Sequence, residues 1–442
     1  MTLTAHSETP AKPEPDSGAA DDVTAIDPVE LESGVRSYSR NWPTVFTHAK
    51  GSVLTAEDGR EYLDFFAGAG TLNYGHNNPE LKKVVIDHYL EDRVVHGLDM
   101  FTDVRREFIQ TFHEKILKPR GLDYTIAFPG PGGANAVEAA LKLARKVTGR
   151  ESIVSFTNGF HGMTLGALSV TGNSMKRGGA GVPLVHATPM PFDDYFGQVV
   201  PDFMYLEHLL SDGGSGLNKP AAVVVETVQG EGGVNAARAE WLQGLAALCT
   251  KHEILLIVDD VQMGCGRTGD FFSFTEAGIE PDIVTLSKSI SGYGHPLALT
   301  LLKPELDIWG PGEHNGTFRG FGPAFATGTK AIELFWSDDE LQKSTIAKGA
   351  YVESRLNRIA ARFPDQDLVV KGRGLARGLQ MPSGELAGKI TSRCFENGLL
   401  VETSGPSDEV IKLLPALTIP DEQLARGLDI IEDAVVEAMA TA

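Results

Sequence analysis

Cysteine is scarce in this chain. Its three copies in 442 residues, Cys249, Cys265 and Cys394, are too few and too far apart for a disulfide framework. No C-x-x-C pair and no histidine-rich cluster is present, so no metal centre is expected. Apolar runs are short, and none reaches the ~18–20 residues that a membrane-spanning helix requires. Basic residues are also outnumbered, 39 Lys plus Arg against 59 Asp plus Glu, which leaves a net charge of −20. So negative an exterior repels phosphate backbones and anionic lipid headgroups. Nucleic acid and membrane surfaces are thereby excluded as general partners, and a small-molecule substrate is expected. The start of the chain has neither a signal peptide nor an Arg-rich transit peptide, and with the cysteine usage this predicts a reducing, cytoplasmic location.

What the chain does have is apolar material, 42% by count, enough for a large core. Residues 1–28 carry Pro10, Pro13 and Pro15 among Ala, Ser, Asp and Glu, and read as a disordered acidic tail. Residues 29–74 hold short alternating segments around the turn Glu57-Asp58-Gly59, which predicts an antiparallel hairpin. The middle, 75–328, alternates amphipathic helices with strands that are apolar on both faces, 221–225, 254–258 and 282–286. A helix is expected over 240–252, where Leu242, Leu245, Ala246 and Cys249 recur at helical spacing. Strand, helix and strand in that order predict an α/β fold with a doubly wound, mostly parallel sheet. Residues 329–442 read as a smaller α+β domain that the 29–74 segment joins, with a glycine-rich crossing at Gly372-Arg373-Gly374 and a last helix over 421–439.

In an open α/β sheet the ligand lies beyond the carboxyl ends of the strands. Here those ends are followed by Glu226, by Asp259-Asp260 and by Ser287-Lys288, so an acid, a further acid pair and a lysine converge on one edge. A lysine there is costly unless it is paired or covalently used. Upstream, Gly130-Pro131-Gly132-Gly133-Ala134 opens a helix whose Val137, Ala140, Leu141 and Ala144 form an apolar stripe. Backbone free of side chains at a helix N-terminus is a phosphate cradle. G-x-G-x-x-G fails at Asn135 and, from Gly372, at Arg377, and no Walker pattern exists. A phosphate site without a nucleotide signature, a strand-end lysine and a strand-end aspartate together point to pyridoxal 5'-phosphate (PLP). That cofactor needs an amine for its aldehyde, a carboxylate for its ring nitrogen and a pocket for a dianion. Lys288, Asp259 and the run Gly132, Gly133 and Ala134 would supply them.

With these residues in place, the sequence resembles the class III, fold-type I PLP-dependent aminotransferases from about Ser37 onward. The matching stretches are 68–79, Phe160-His161-Gly162, 225–233, 259–269, Ser287-Lys288 and Gly316-Thr317-Phe318. The stretches 37–43, 135–138, 287–294 and 313–320 narrow the resemblance to members that exchange the terminal amino group of L-2,4-diaminobutyrate with 2-oxoglutarate, the first step of ectoine biosynthesis. The resemblance implies that Lys288 carries the cofactor and shuttles a proton, while Asp259 faces the ring nitrogen and Gln262 the phenolic oxygen. Phe160 and Val261 would flank the ring, with His161 beside it. Thr317 would reach the phosphate from a neighbouring subunit, so a homodimer or higher homo-oligomer is implied.

The departures from the family pattern are also informative. Gly132-Gly133-Ala134-Asn135-Ala136 stands where common members have Ser-Gly-x-Glu-Ala, which leaves more of the cradle to backbone N–H groups. Lys412 stands where many relatives place a carboxylate-binding arginine that pairs with the Glu231 position. A lysine offers a point charge and no bidentate fork. The substrate carboxylate contact is therefore open, with Arg319 as a candidate, and Glu231 and Lys412 are the other candidate substrate-binding residues. Another ω-aminotransferase, acting on ornithine, acetylornithine or 4-aminobutyrate, is the alternative enzyme, and a catalytically silent PLP-binding regulator the alternative outside enzymes.

Overall fold

The computed structural model describes residues 28–197 and 201–440; the expected acidic tail lies outside them but for Pro28. The chain divides into two units, one ending at Pro43 and one spanning Thr44–Ala442. The described part of the first holds two single-turn helices, Pro28–Leu31 and Tyr38–Asn41, with the rings of Tyr38 and Trp42 stacked at 5.7 Å.

The second unit is built on a seven-stranded sheet. Its strands in chain order are β1 (Thr125–Ala127), β2 (Ile153–Phe156), β3 (Ala187–Met190), β4 (Ala222–Val225), β5 (Leu255–Asp259), β6 (Ile283–Leu286) and β7 (Leu299–Leu302). Their order across the sheet is β1-β7-β6-β5-β4-β2-β3, and only β7 runs antiparallel to its neighbours. The Val- and Ile-rich runs are buried on both sides because successive side chains serve two different cores. Val224, Ile257 and Ile283 face the helix Gly133–Thr148, packing with Val137, Ala140, Leu141 and Ala144. Val223, Val225, Leu256, Val258, Val284 and Leu286 face the other way, into a core that includes Phe108, Phe112 and Phe272. The helix expected over 240–252 is Ala239–Lys251, and it joins the second core through Leu242, Leu245 and Cys249.

The expected hairpin pairs Val53–Ala56 with Glu61–Asp64, and Phe46–Lys50 extends it. Leu63 and Asp64 pair in parallel with Leu399 and Leu400, so the N-terminal segment is hydrogen-bonded to C-terminal chain. A further antiparallel sheet has the order Val369–Arg373, Ala376–Gln380, Val410–Leu413 and Glu402–Ser404. The glycine-rich segment expected to be a crossing is a hairpin instead. Residues 372–374 are the end and turn of a hairpin, with Gly374 at φ +59° and Arg373 paired directly with Ala376. The last helix is Asp421–Ala440. No described helix is long and apolar enough to cross a membrane.

Candidate active site

Four strand ends and one helix start meet at the carboxyl edge of the large sheet. β6 runs into Ser287 and Lys288, β5 ends in Asp259, β4 runs into Glu226, and β2 leads to Phe160 and His161. The helix Gly133–Thr148 begins beside them, because a side chain at Gly133 has no room: a Cβ there would lie 2.8 Å from Val261 Cγ1.

Asp259 is buried and fully engaged. Its Oδ1 accepts from Thr285 Oγ1 at 3.1 Å and from the Val261 amide at 3.1 Å, while Oδ2 lies 2.7 Å from His161 Nδ1. Burial works against a charge on His161, but the Asp259 carboxylate and nearby Glu226 hold its pKa above the ordinary value. His161 is thus positioned behind the aspartate. Glu226, also buried, accepts from the Phe160 amide at 2.9 Å, and burial pushes its carboxyl up to about 7.

Lys288 is half-buried and adopts a left-handed backbone, φ +50°, which a non-glycine residue holds only under constraint. The constraint comes from both sides of it. Ser287 Oγ donates to Leu297 O at 2.8 Å, and Ser289 Oγ donates to Gly70 O at 2.8 Å. Burial pulls the lysine's pKa down, and Glu231 partly restores it.

At the helix start, Asn135 Oδ1 takes the Gly132 amide at 3.1 Å. The Gly133 and Ala134 amides open the helix and have no carbonyl within it to bond. Two N–H groups without a helix carbonyl at a positive helix end, a partly exposed amine of lowered pKa and a buried carboxylate engaged by three partners form the donor set that PLP requires. The residues present fit that cofactor. Phe160 has one ring face already covered, since Lys176 Nζ stands 4.3 Å from its centroid.

Around Lys288 lies a second charged group. Lys412, on the strand Val410–Leu413, is 0% exposed, and its Nζ lies 2.7 Å from Glu231 Oε1 and 3.0 Å from Glu402 Oε1. Glu402 is its direct cross-strand partner. Burial alone would raise the Glu231 carboxyl, but Lys412 and Lys288 bring it down to about 2, whereas burial leaves Glu402 above the ordinary value. Gln262 Nε2 donates to Glu231 Oε1 at 3.2 Å and to Ala69 O at 3.0 Å. Thr317 is exposed, and its carbonyl meets His96 Nε2 at 2.8 Å. Arg319 donates to Asn315 Oδ1 at 3.0 Å within its own loop. Among the described residues neither makes a hydrogen bond or ion pair with the Lys288 cluster. Glu402, Thr285 and Lys176 were not found from sequence. The first two act across strand pairings that no local pattern announces, and Lys176 sits on the one-turn helix Ser174–Gly178, too short to show a period.

A family model for class III aminotransferases matches residues 35–435. The chain is 64% identical over 405 residues to a diaminobutyrate–2-oxoglutarate transaminase of Nocardia farcinica, covering 92% of each chain. It is 62% identical over 407 residues to one from Streptomyces anulatus, covering 92% of this chain and 96% of that one. An ornithine aminotransferase from Toxoplasma gondii, solved with PLP at partial occupancy in its active site, superimposes with a TM-score of 0.78 at 26% identity over 90% of this chain and 91% of its own. Because the matched region runs from before the first strand into the last helix, the chain belongs to the class III aminotransferases, which work with PLP.

Proposed function

We propose that this protein transfers the terminal amino group of L-2,4-diaminobutyrate to 2-oxoglutarate, reversibly. The amino group leaves C4 of diaminobutyrate, which becomes L-aspartate 4-semialdehyde, and arrives at C2 of 2-oxoglutarate, which becomes L-glutamate; the oxygen moves the opposite way. In the cell the reverse sense would supply diaminobutyrate to ectoine biosynthesis. The observation that carries this reading is the identity of 62–64% to two diaminobutyrate–2-oxoglutarate transaminases over 92% of the chain.

When bound, PLP supplies an aldehyde that takes up the amino group and a ring that accepts an electron pair. Lys288 would hold it and, as a neutral amine, take and return the proton at the reacting carbon, a role its lowered pKa favours. Asp259, backed by His161 and Thr285, would keep a negative charge at the ring nitrogen, and Gln262 would serve the phenolic oxygen. Gly132, Gly133 and Ala134 would receive the phosphate, with Thr317 of a second copy completing the pocket. Support for that second copy comes from the surface near Thr317, where Phe101 and Phe318 are 82% and 68% exposed. Residues 29–74 and 329–442 would act as a small domain beside the large one, 75–328, in a cytoplasmic protein.

Purified protein with PLP, 2-oxoglutarate and a panel of amines tests this. Glutamate should form fastest from L-2,4-diaminobutyrate. Faster turnover of ornithine, N-acetylornithine or 4-aminobutyrate would overturn the substrate, and a cofactor absorbance that no amine alters would overturn the enzyme reading.

A further inference from the structure

Beside the Lys288 cluster lies a cavity of about 130 Å³ that is lined by Asn158, Phe160, Lys176 and Glu231, among others. It offers one side-chain cation and one side-chain anion. The Lys176 ammonium is placed by the Phe160 ring, 4.3 Å from its centroid, a contact that positions a cation without neutralising it. It pairs with no carboxylate among the described residues. Glu231 uses only Oε1 for Lys412 and Gln262, at 2.7 and 3.2 Å. Its Oε2 carries no hydrogen bond among the described residues. Gln262, next to Val261, donates to Glu231, and Phe160, whose amide donates to Glu226, lines the same cavity, so the cavity adjoins the reacting end of the site.

From this geometry we propose that the cavity binds the far end of the substrate, the amino-acid group remote from the transferred amine, with Lys176 taking its carboxylate and Glu231 Oε2 its ammonium. The inference rests on the proposed reaction, since only a diamino acid presents both charges at that end. Glutamate and 2-oxoglutarate present a carboxylate alone there, so they engage Lys176 and leave Glu231 with Lys412. Lys176 is thereby a shared specificity residue, and the free oxygen of Glu231 acts in the diamine half-reaction only.

The test compares holoenzyme variants on substrates stripped of one charge. Lys176→Met should raise KM for L-2,4-diaminobutyrate and for 2-oxoglutarate by about tenfold or more, the worth of one charge-assisted hydrogen bond, with kcat nearly unchanged. It should leave 1,3-diaminopropane, which lacks the carboxylate, unaffected as a substrate or competitive inhibitor. Lys176→Arg should restore most of the loss. Glu231→Gln should weaken diaminobutyrate but not 4-aminobutyrate, which lacks the second ammonium. Equilibrium dialysis of 2-oxoglutarate against the holoenzyme gives a readout independent of turnover, and Lys176→Met should weaken it by the same factor. Equal losses for diaminobutyrate and 1,3-diaminopropane, or unchanged 2-oxoglutarate binding, would overturn the assignment of Lys176. A wild-type enzyme that ignores diaminobutyrate would instead overturn the proposed reaction, while the 2-oxoglutarate dialysis would still judge Lys176.

Discussion

His161 Nδ1 lies 2.7 Å from Asp259 Oδ2, and both side chains are buried behind the carboxyl end of the sheet. The pair ties a helix-flanking loop to a strand end, so it links stability to the charge at the site. His161 has a folded-state pKa above its ordinary 6.5. Its contribution is therefore complete below that value and lost as pH rises through the raised one. Replacing His161 by Gln should cost about 1.5–3 kcal/mol at pH 6 and less at alkaline pH, read from urea midpoints across the pH range. A deficit that grew with pH would contradict the pairing.

Asp259→Asn keeps the size of the side chain and the contacts to Thr285 and Val261 but removes the charge. The amino-transfer rate should fall by about 10²-fold or more, as when one electrostatic partner of a developing charge is lost. Single-turnover absorbance with a saturating amine would measure it. A rate within a few-fold of wild type would remove Asp259 from its proposed role.

Gly133 and Val261 share one small volume, since a Cβ at Gly133 would lie 2.8 Å from Val261 Cγ1. Gly133→Ala should therefore weaken PLP binding, and Val261→Ala in the same chain should recover part of the loss. Fluorescence titration of apoprotein with PLP completes the double-mutant cycle. Strictly additive effects would show that the two residues do not share that space.

Lys412→Met leaves Glu231 and Glu402 facing each other in a buried setting, and should cost about 3–5 kcal/mol at neutral pH, as breaking a buried ion pair does. Glu231, with its carboxyl brought down to about 2, contributes stability above its ordinary 4.5 that is lost as pH falls through about 2. The variant should lose that acid tolerance and unfold at higher pH than wild type. Adding Glu402→Gln should return part of the stability, because it removes one of the two opposed carboxylates. Circular dichroism during acid titration follows both effects.

The core strands could be read from sequence because Val223, Val224 and Val225, or Leu256, Ile257 and Val258, carry their burial in consecutive letters. Lys288 and Asp259 could be read for a related reason, as chemically costly residues directly after such runs. Lys412 was visible as a departure from an expected arginine, but its second partner was not. Glu402 meets it only through the register between two strands, and register is set by the folded sheet and not by neighbours in the chain. The hairpin at Gly374 reads in sequence as a crossing, because a glycine that permits positive φ looks the same in either setting. The reversal of β7 is equally illegible in sequence, since an apolar run carries no mark of its direction.

That reversed strand has a consequence for the lysine. Parallel neighbours are joined by a long crossover, usually a helix, which lets the connecting chain leave the sheet edge. Because β7 runs back beside β6, Leu286 pairs with Leu299, and everything between them must turn around at the site itself. Lys288 is thus mounted on a closed span with both footings in the same rigid sheet, braced across by Ser287 and Leu297. The amine can swing on its own four carbons while its backbone stays fixed.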